Sequence, residues 1–296
     1  MLQRWNKPSR STDKNVVDGS YNEFMKFDLG PAIKKCKNET DRLRNLFINT
    51  QIKTSMNRDY NINYHGYFND HDYITYSEAE HLNKINHVTK ELIEIYEKKT
   101  RNQSKSKLWR NLRKSRITAS LAGDVVKTVT TKKMSTNISK RILSPIKLNV
   151  PAVVHGKKLE KKAFNDYKTH FKIVPCGLFI DSERHYLAAS PDGIDEEKKF
   201  IIEIKCPYRK KTVQELPYII GGKLNKNHNY YYQIQIQLHV TQINECRFLV
   251  YIEEGFIHIE TVFRDDLFLK TCLENIDYYY KNIFSKEYFK HVDEKN

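Results

Sequence analysis

Cysteine pairs are missing from this chain. Its five cysteines, Cys36, Cys176, Cys206, Cys246 and Cys272, are scattered and odd in number. None forms a C-x-x-C unit, which disfavours a zinc ribbon, and no disulfide framework is spelled out. Reduced thiols in an intracellular compartment are the expected state. Also missing are an N-terminal apolar segment of signal-peptide type and any run of 18 apolar residues. A secretory leader and a membrane-spanning helix are therefore not expected. His155, His185 and His239 show no H-x-x-x-H spacing and read as packing or surface residues. No cysteine stands beside a base in a pattern that would make it a nucleophile, and no solenoid-type repeat is found.

What is abundant is positive charge. Lys and Arg number 51 against 36 Asp and Glu, a net charge of +15 with a pI near 9.4. Part of this excess reflects a composition rich in Lys, Asn, Tyr and Ile. The remainder points to an acidic partner, most simply nucleic acid. With 39% hydrophobic residues in 296, the chain can bury a core. Its length suits one large domain, or a domain with an extension.

Residues 1–75 are polar, weakly periodic and rich in Asn, Asp, Lys and Tyr. They read as an extended arm with one short helix near Gly30–Phe47, and the folded domain is expected over 76–290. Ser77 and Glu80 form a capping-box pattern, followed by Leu82, Ile85, Val88, Leu92 and Ile95 at helical spacing. Residues 98–116 carry nine basic side chains and no acidic one. A second helix is expected from Thr118 or Ser120, and a third over Gly156–His170. Lys132–Asn149 is basic and polar, broken by Ser144-Pro145. The period then becomes extended: Ile173–Asp181, Arg184–Ala189 and Phe200–Lys205 read as strands, with turns at Asp181–Glu183 and Gly193–Lys198. A short helix is expected at Arg209–Tyr218. His228–Gln242 fits strand or helix by composition, and its length favours a buried helix. A hairpin at Glu245–Ile252 and Phe256–Phe263, then a helix at Asp265–Phe284, complete an α/β or α+β domain with a mixed sheet.

The chemistry concentrates in Ser190-Pro191-Asp192-Gly193 and Glu203-Ile204-Lys205-Cys206-Pro207. Glu203 and Lys205, two residues apart on a strand, share a face, while Ile202, Ile204 and Cys206 point the other way. Two carboxylates beside a lysine suit a divalent metal and a water attacking a phosphodiester. The competing reading is a surface strand with solvated Glu and Lys. Glu160 is a candidate third carboxylate if its helix packs on the sheet. Nearby carboxylates oppose a neutral Lys205, which favours an electrostatic and orienting role over that of a base. On a helix, Gln233 and Gln237 share a face and can offer amides to phosphate. Arg110, Arg113, Lys114 and Arg116 precede Ser120 near a helix N-terminus, an arrangement suited to anions or simply a solvated basic linker.

Taken in order, these segments resemble a known family. They are Trp109-x-x-x-Arg113 with Arg116-Ile117-Thr118-Ala119-Ser120, Gly156-x-x-x-Glu160-x-x-Ala163, Ser190-Pro191-Asp192-Gly193, Glu203-Ile204-Lys205-Cys206-Pro207 and Tyr230-x-x-Gln233-x-Gln235. From about Thr100 to Val262 the chain resembles the YqaJ-type viral recombinases, the family of the phage lambda exonuclease, with closest likeness to the baculovirus-type alkaline nucleases. The resemblance implies a restriction-endonuclease-like PD-(D/E)XK core, a mixed central sheet flanked by helices. It implies that Glu160, Asp192, Glu203 and the Ile204 carbonyl hold Mg²⁺, with Mn²⁺ able to substitute, and that Lys205 is the catalytic lysine. It places Arg113, Ser120, Ser190 and Gln233 at the 5′ phosphate of DNA, with Arg110, Arg116 and Gln235 as further DNA contacts.

The implied activity is resection of linear duplex DNA 5′→3′, leaving 3′ single strands for recombination or replication. The implied partners are duplex DNA ends and a single-strand-binding or annealing protein, with a homo-oligomer left open and no membrane. Action in the nucleus is expected over the cytoplasm. Two alternatives stay open: a structure-specific endonuclease on the same core, and a non-catalytic DNA-binding or annealing module.

Overall fold

The computed structural model describes residues 77–131, 136–146, 150–252 and 257–294. The expected arm and the helix near Gly30–Phe47 lie outside the described residues.

The N-terminal helical layer begins with α1 (Glu78–Asn86), closed by the Ser77–Glu80 capping box, and α2 (Lys90–Lys99). The single apolar stripe from Leu82 to Ile95 is thus two helices. The break falls at His87, whose extended backbone ends α1, and Thr89, whose hydroxyl caps α2 by accepting from Leu92 N–H at 3.4 Å. After a 3₁₀ turn at Gln103–Lys105 come α3 (Lys107–Arg113), β1 (Ile117–Thr118) and α4 (Ala119–Thr130). α5 (Asn137–Leu143) lies in the basic, polar stretch to which no element was assigned, and Ile138, Ile142 and Leu143 supply its inward stripe. α6 (Pro151–Lys168) starts five residues before its expected N-terminus, with proline in its first turn.

The expected strand Ile173–Asp181 is two strands, β2 (Ile173–Pro175) and β3 (Phe179–Ile180), belonging to different sheets. Between them Gly177 N–H donates to Glu97 Oε1 at 3.0 Å, and a Cβ there would stand 1.8 Å from the Glu97 carbonyl oxygen. Only glycine allows that approach. Next come β4 (Leu187–Ala189), β5 (Gly193–Asp195) and β6 (Ile201–Lys205). The turn expected from Gly193 begins three residues later, because Gly193–Asp195 already pairs in the sheet and Asp195 then closes the turn by accepting from Glu197 and Lys199 N–H.

Arg209–Tyr218 holds one 3₁₀ turn (Val213–Glu215), not a helix. Leu216 precedes Pro217 and is forced into extended backbone. A small hairpin follows, β7 (Ile219–Ile220) and β8 (Lys223–Leu224). His228–Gln242 is helical: α7 (Asn229–Thr241). β9 (Glu245–Tyr251) and β10 (Ile257–Phe263) form the expected hairpin. α8 (Asp266–Tyr279) then runs through a π turn at Tyr280–Phe284 into α9 (Ser285–Asp293), nine residues beyond its expected end. Buried Tyr288, Phe289 and Val292 on α9 account for that continuation.

The central sheet has the order β10-β9-β6-β5-β2, parallel between β6 and β9 and antiparallel elsewhere. Its faces are covered by different helices. Ala163 and Tyr167 of α6 pack on Ile202, Ile204, Leu249 and Tyr251, whereas Ile234 and Leu238 of α7 pack with Ile201, Phe248 and Val250. Burying both faces explains why β6 reads as an almost unbroken apolar run. A second sheet, β1-β4-β3, joins β1 and β4 in parallel. Among the described residues no helix is long and apolar enough to cross a membrane. The domain is mixed α/β, with mixed sheets flanked by helices.

Candidate active site

β6 divides its side chains as alternation requires. Ile202 and Ile204 face α6, and Glu203 faces α7 with Ile201. Glu203 is therefore a carboxylate inside a packed layer, only 2% exposed. Such a charge needs partners. Gln233 Nε2 donates to its Oε1 at 2.6 Å, Gln237 Nε2 to its Oε2 at 2.7 Å, and Lys205 Nζ pairs with Oε1. The one-turn spacing of Gln233 and Gln237 on α7 brings both amides to one carboxylate. The solvated-strand reading of Glu203 and Lys205 is thereby excluded.

Asp192 stands where β5 leaves β6. The last paired residue of β5 is Gly193, opposite Ile202, so the rest of β6 has an open edge. Asp192 reaches along it: its N–H donates to the Ile202 carbonyl at 3.1 Å, and its Oδ2 accepts from Ile204 N–H at 2.7 Å. Because the N–H and C=O groups of alternate strand residues point to the same edge, the Ile204 carbonyl faces the Asp192 side. Gly193 is required by packing, since a Cβ there would lie 2.8 Å from the Phe164 ring.

Glu160 approaches from α6, the opposite layer. Its carboxyl is raised above the usual carboxylate range by desolvation and then by the charge of Glu203. The residue remains solvent-exposed, so the charge effect is the firmer cause. Asp192 is raised well above its ordinary value by burial, then by Glu203 and Glu160; Lys205 and the Ile204 N–H pull the other way. Burial works to lower Lys205, but Glu203 and Asp192 outweigh it, and the net shift is upward. Lys205 is therefore an ammonium, with Nζ 4.7 Å from the Tyr230 ring centre. The Cys206 thiol is pushed up to about 12 by burial and by Glu160 and Asp192, which keeps it protonated and unreactive.

Glu203 raises the carboxyls of Asp192 and Glu160, and Glu160 also raises that of Asp192; the three carboxylates form an acidic cluster whose oxygen donors match a hard divalent cation. They do not form a ready-made cage. Among the described residues no three acidic, histidine or cysteine side chains converge closely enough to hold a metal. Glu203 has its oxygens engaged by amides and lysine, and Glu160 comes from the other layer.

The second half of the site lies on the other side of Asp192. Trp109 Nε1 donates to Ser190 Oγ at 2.9 Å, and the Arg113 guanidinium carbon lies 4.0 Å from the Trp109 ring centre. Desolvation lowers Arg113 to about 10. Among the described residues no carboxylate or hydrogen-bond acceptor engages its guanidinium. Thr118 and Ala188 pair in parallel, so Ser120 and Ser190, each two residues further, leave that ladder at the same end. Ser120 is exposed in the first turn of α4, its hydroxyl 3.2 Å from Thr118 Oγ1.

Other expected contacts lie elsewhere. Arg116 is 4% exposed, and its guanidinium is consumed by the carbonyls of His185, Leu112 and Asn86 at 2.8–2.9 Å. Gln235 is fully buried, donating to the Phe263 carbonyl and accepting from Asp265 N–H. Both expected DNA contacts are engaged inside the protein: Gln235 by its phase on α7, and Arg116, in the turn between α3 and β1, by the three carbonyls around it. Arg110 donates to the Ser104 carbonyl at the surface. Gln233 points at Glu203 rather than into the Arg113 pocket. The histidines pack as expected: His155 lies edge-on to Tyr208 and His185 against His87.

Two residues were given no role in the site by the sequence reading: Gln103, which it did not single out, and Trp109, which it named only within a segment. Gln103 Nε2 donates to the Cys176 and Pro191 carbonyls, both at 3.1 Å, bracing the peptide before Asp192. No sequence signal could reveal a partner 88 residues away. Trp109 had one, its four-residue spacing to Arg113 on a helix.

The fold is the expected PD-(D/E)XK core. It is similar to the crystal structure of an alkaline exonuclease, LHK-Exo, from Laribacter hongkongensis, with a TM-score of 0.51, 22% identity and coverage of 64% of this chain and 96% of that one. It is also similar to the protein in a SOX–DNA complex, with a TM-score of 0.50, 12% identity and coverage of 72% and 74%. Residues 108–244 match the YqaJ-like viral recombinase domain. An uncharacterized protein, R354, of Acanthamoeba polyphaga mimivirus is 31% identical over 112 residues, 33% of this chain. The chain spans only 19% of that relative's length.

Proposed function

We propose that the protein is a divalent-metal-dependent exonuclease that degrades linear duplex DNA 5′→3′ from a phosphorylated end. The observation that carries this reading is the double role of Ser190-Pro191-Asp192-Gly193. Ser190 and Arg113 both contact Trp109 and, among the described residues, neither the hydroxyl proton nor the guanidinium meets an acceptor; two residues later Asp192 joins the carboxylate cluster at the open edge of β6. One tetrapeptide thus couples an anion pocket to an acidic centre, as cleavage next to a terminal phosphate requires.

Glu160, Asp192, Glu203 and the Ile204 carbonyl would hold Mg²⁺, or Mn²⁺ in its place. Bound there, the ion would lower the pKa of a water and neutralise charge on the scissile phosphate. Ile204 N–H fixes the Asp192 carboxylate, and Gln233 and Gln237 fix Glu203. The Lys205 ammonium, held by Glu203 and Tyr230, would orient water and stabilise developing charge. Its raised pKa makes it a poor base. Arg113 and Ser190 would grip the terminal phosphate, with Ser120 at the same end of the ladder, and so set the distance to the next phosphodiester. The 3′ strand left behind would suit an annealing or single-strand-binding partner, and the nucleus is the proposed compartment.

Product analysis on end-labelled linear duplex tests this. With Mg²⁺, a 5′ label should leave as mononucleotide while a 3′ label stays in long product, and chelator, Asp192→Ala or Glu203→Gln should each stop release. Equal activity of wild type and both variants would sink the assignment. Closed circular duplex in the same assay separates an endonuclease from an exonuclease.

A further inference from the structure

Trp109 touches both donors of the anion pocket, yet has no role in the reaction described above. A serine hydroxyl has one proton and two lone pairs, whereas an indole nitrogen can only donate. The Trp109 N–H therefore fills a lone pair of Ser190 Oγ. The Ser190 proton must point elsewhere, and among the described residues no group accepts it. Over the face of the same indole rests the guanidinium of Arg113, a half-buried cation likewise without an acceptor among the described residues. Without the ring, Arg113 could swing toward solvent. Without the indole N–H, Ser190 could turn its proton inward and present a lone pair to the phosphate, which repels it.

We infer that Trp109 is a positioning residue for terminal-phosphate recognition: it makes Ser190 a donor, holds Arg113 in place, and so sets how strongly phosphorylated ends are preferred over hydroxyl ends. This role rests on the exonuclease reading.

The test measures kcat and KM on duplexes that differ only in a 5′ phosphate or a 5′ hydroxyl. Wild type should prefer the phosphorylated end. Trp109→Phe keeps a ring under Arg113 but removes the N–H, and should reduce that preference about fivefold, the worth of one such hydrogen bond. The loss should appear in KM for phosphorylated ends; a general folding defect would lower kcat on both ends alike. Trp109→Leu removes ring and N–H and should reduce the preference further. Because Trp109→Leu risks unfolding, a cycle of Trp109→Phe with Ser190→Ala provides the second arm. Once Ser190 is alanine, Trp109→Phe should have little further effect on preference; additive losses overturn the inference. A wild type indifferent to the phosphate sinks the pocket itself. A preference undiminished in Trp109→Phe sinks only the role of Trp109.

Discussion

The backbone N–H of Ile204 donates to Asp192 Oδ2 at 2.7 Å. This bond ties the acid at the end of one strand to the exposed edge of the next. It also lowers the energy of a carboxylate that burial, Glu203 and Glu160 all disfavour. Asp192 is thus held ionisable and in place, but at an electrostatic cost that a bound cation would relieve.

That cost has a measurable sign. Asp192 and Glu160 have folded-state pKa values above their unfolded ones, so their protonation favours the folded protein. In chelator, their contribution to stability should be full below the unfolded value and lost as pH rises through the folded one. Asp192→Asn should flatten this slope in thermal scans, since the amide keeps an acceptor for Ile204 but carries no charge. The same variant should lower nuclease activity by about a hundredfold or more.

Metal should act on the wild type in the opposite direction. Mg²⁺ or Mn²⁺ at about 100 times its Kd should raise stability by roughly 2.7 kcal/mol at neutral pH. Asp192→Asn combined with Glu203→Gln should abolish the shift. An unchanged melting temperature for wild type across a millimolar titration would remove the metal from the reading.

Gln237 is 1% exposed, and its amide is the donor to Glu203 Oε2. Gln237→Leu strands that oxygen in an apolar layer and should destabilise the protein by about 1–3 kcal/mol in urea unfolding. Activity at a temperature where the variant is folded should fall as well, because Glu203 loses one of the groups that orient it.

Arg113 and Arg116 should separate cleanly, although they lie three residues apart. Among the described residues Arg113 has no acceptor to lose, so Arg113→Met should change stability by less than about 1 kcal/mol. It should weaken use of phosphorylated ends more than of hydroxyl ends. Arg116→Met strands three buried carbonyls and should cost about 3 kcal/mol or more by urea titration, with no change in end preference in the folded fraction.

How much of this could be read beforehand varies by residue. Periodicity placed α4 and the β9–β10 hairpin, because each has a one-sided or alternating apolar pattern, whereas α7, buried on most sides, was told from a strand by its length alone. It failed at β2–β3, where the interruption comes from Glu97, 80 positions upstream of Gly177. It failed at the α1–α2 break, where the apolar spacing runs on across His87. α5 was missed because its inward stripe is only three side chains long.

The order of types along the chain, Asp192 then Glu203-x-Lys205, suggested the chemistry, because strand alternation alone puts Glu203 and Lys205 on one face, but it left a solvated surface strand open until the other segments were read with it. Alternation is local and needs no knowledge of the fold. Which amides reach Glu203, and that Glu160 arrives from the opposite layer, depend on the packing of α6 and α7 against the sheet. Those contacts join residues 30 to 90 positions apart, and they are set by burial and helical phase in three dimensions. The chain's linear pattern therefore specified an acidic nuclease-like centre; only the tertiary structure decided that Gln233 serves Glu203, that Arg116 and Gln235 are braces, and that Trp109 links Arg113 to Ser190.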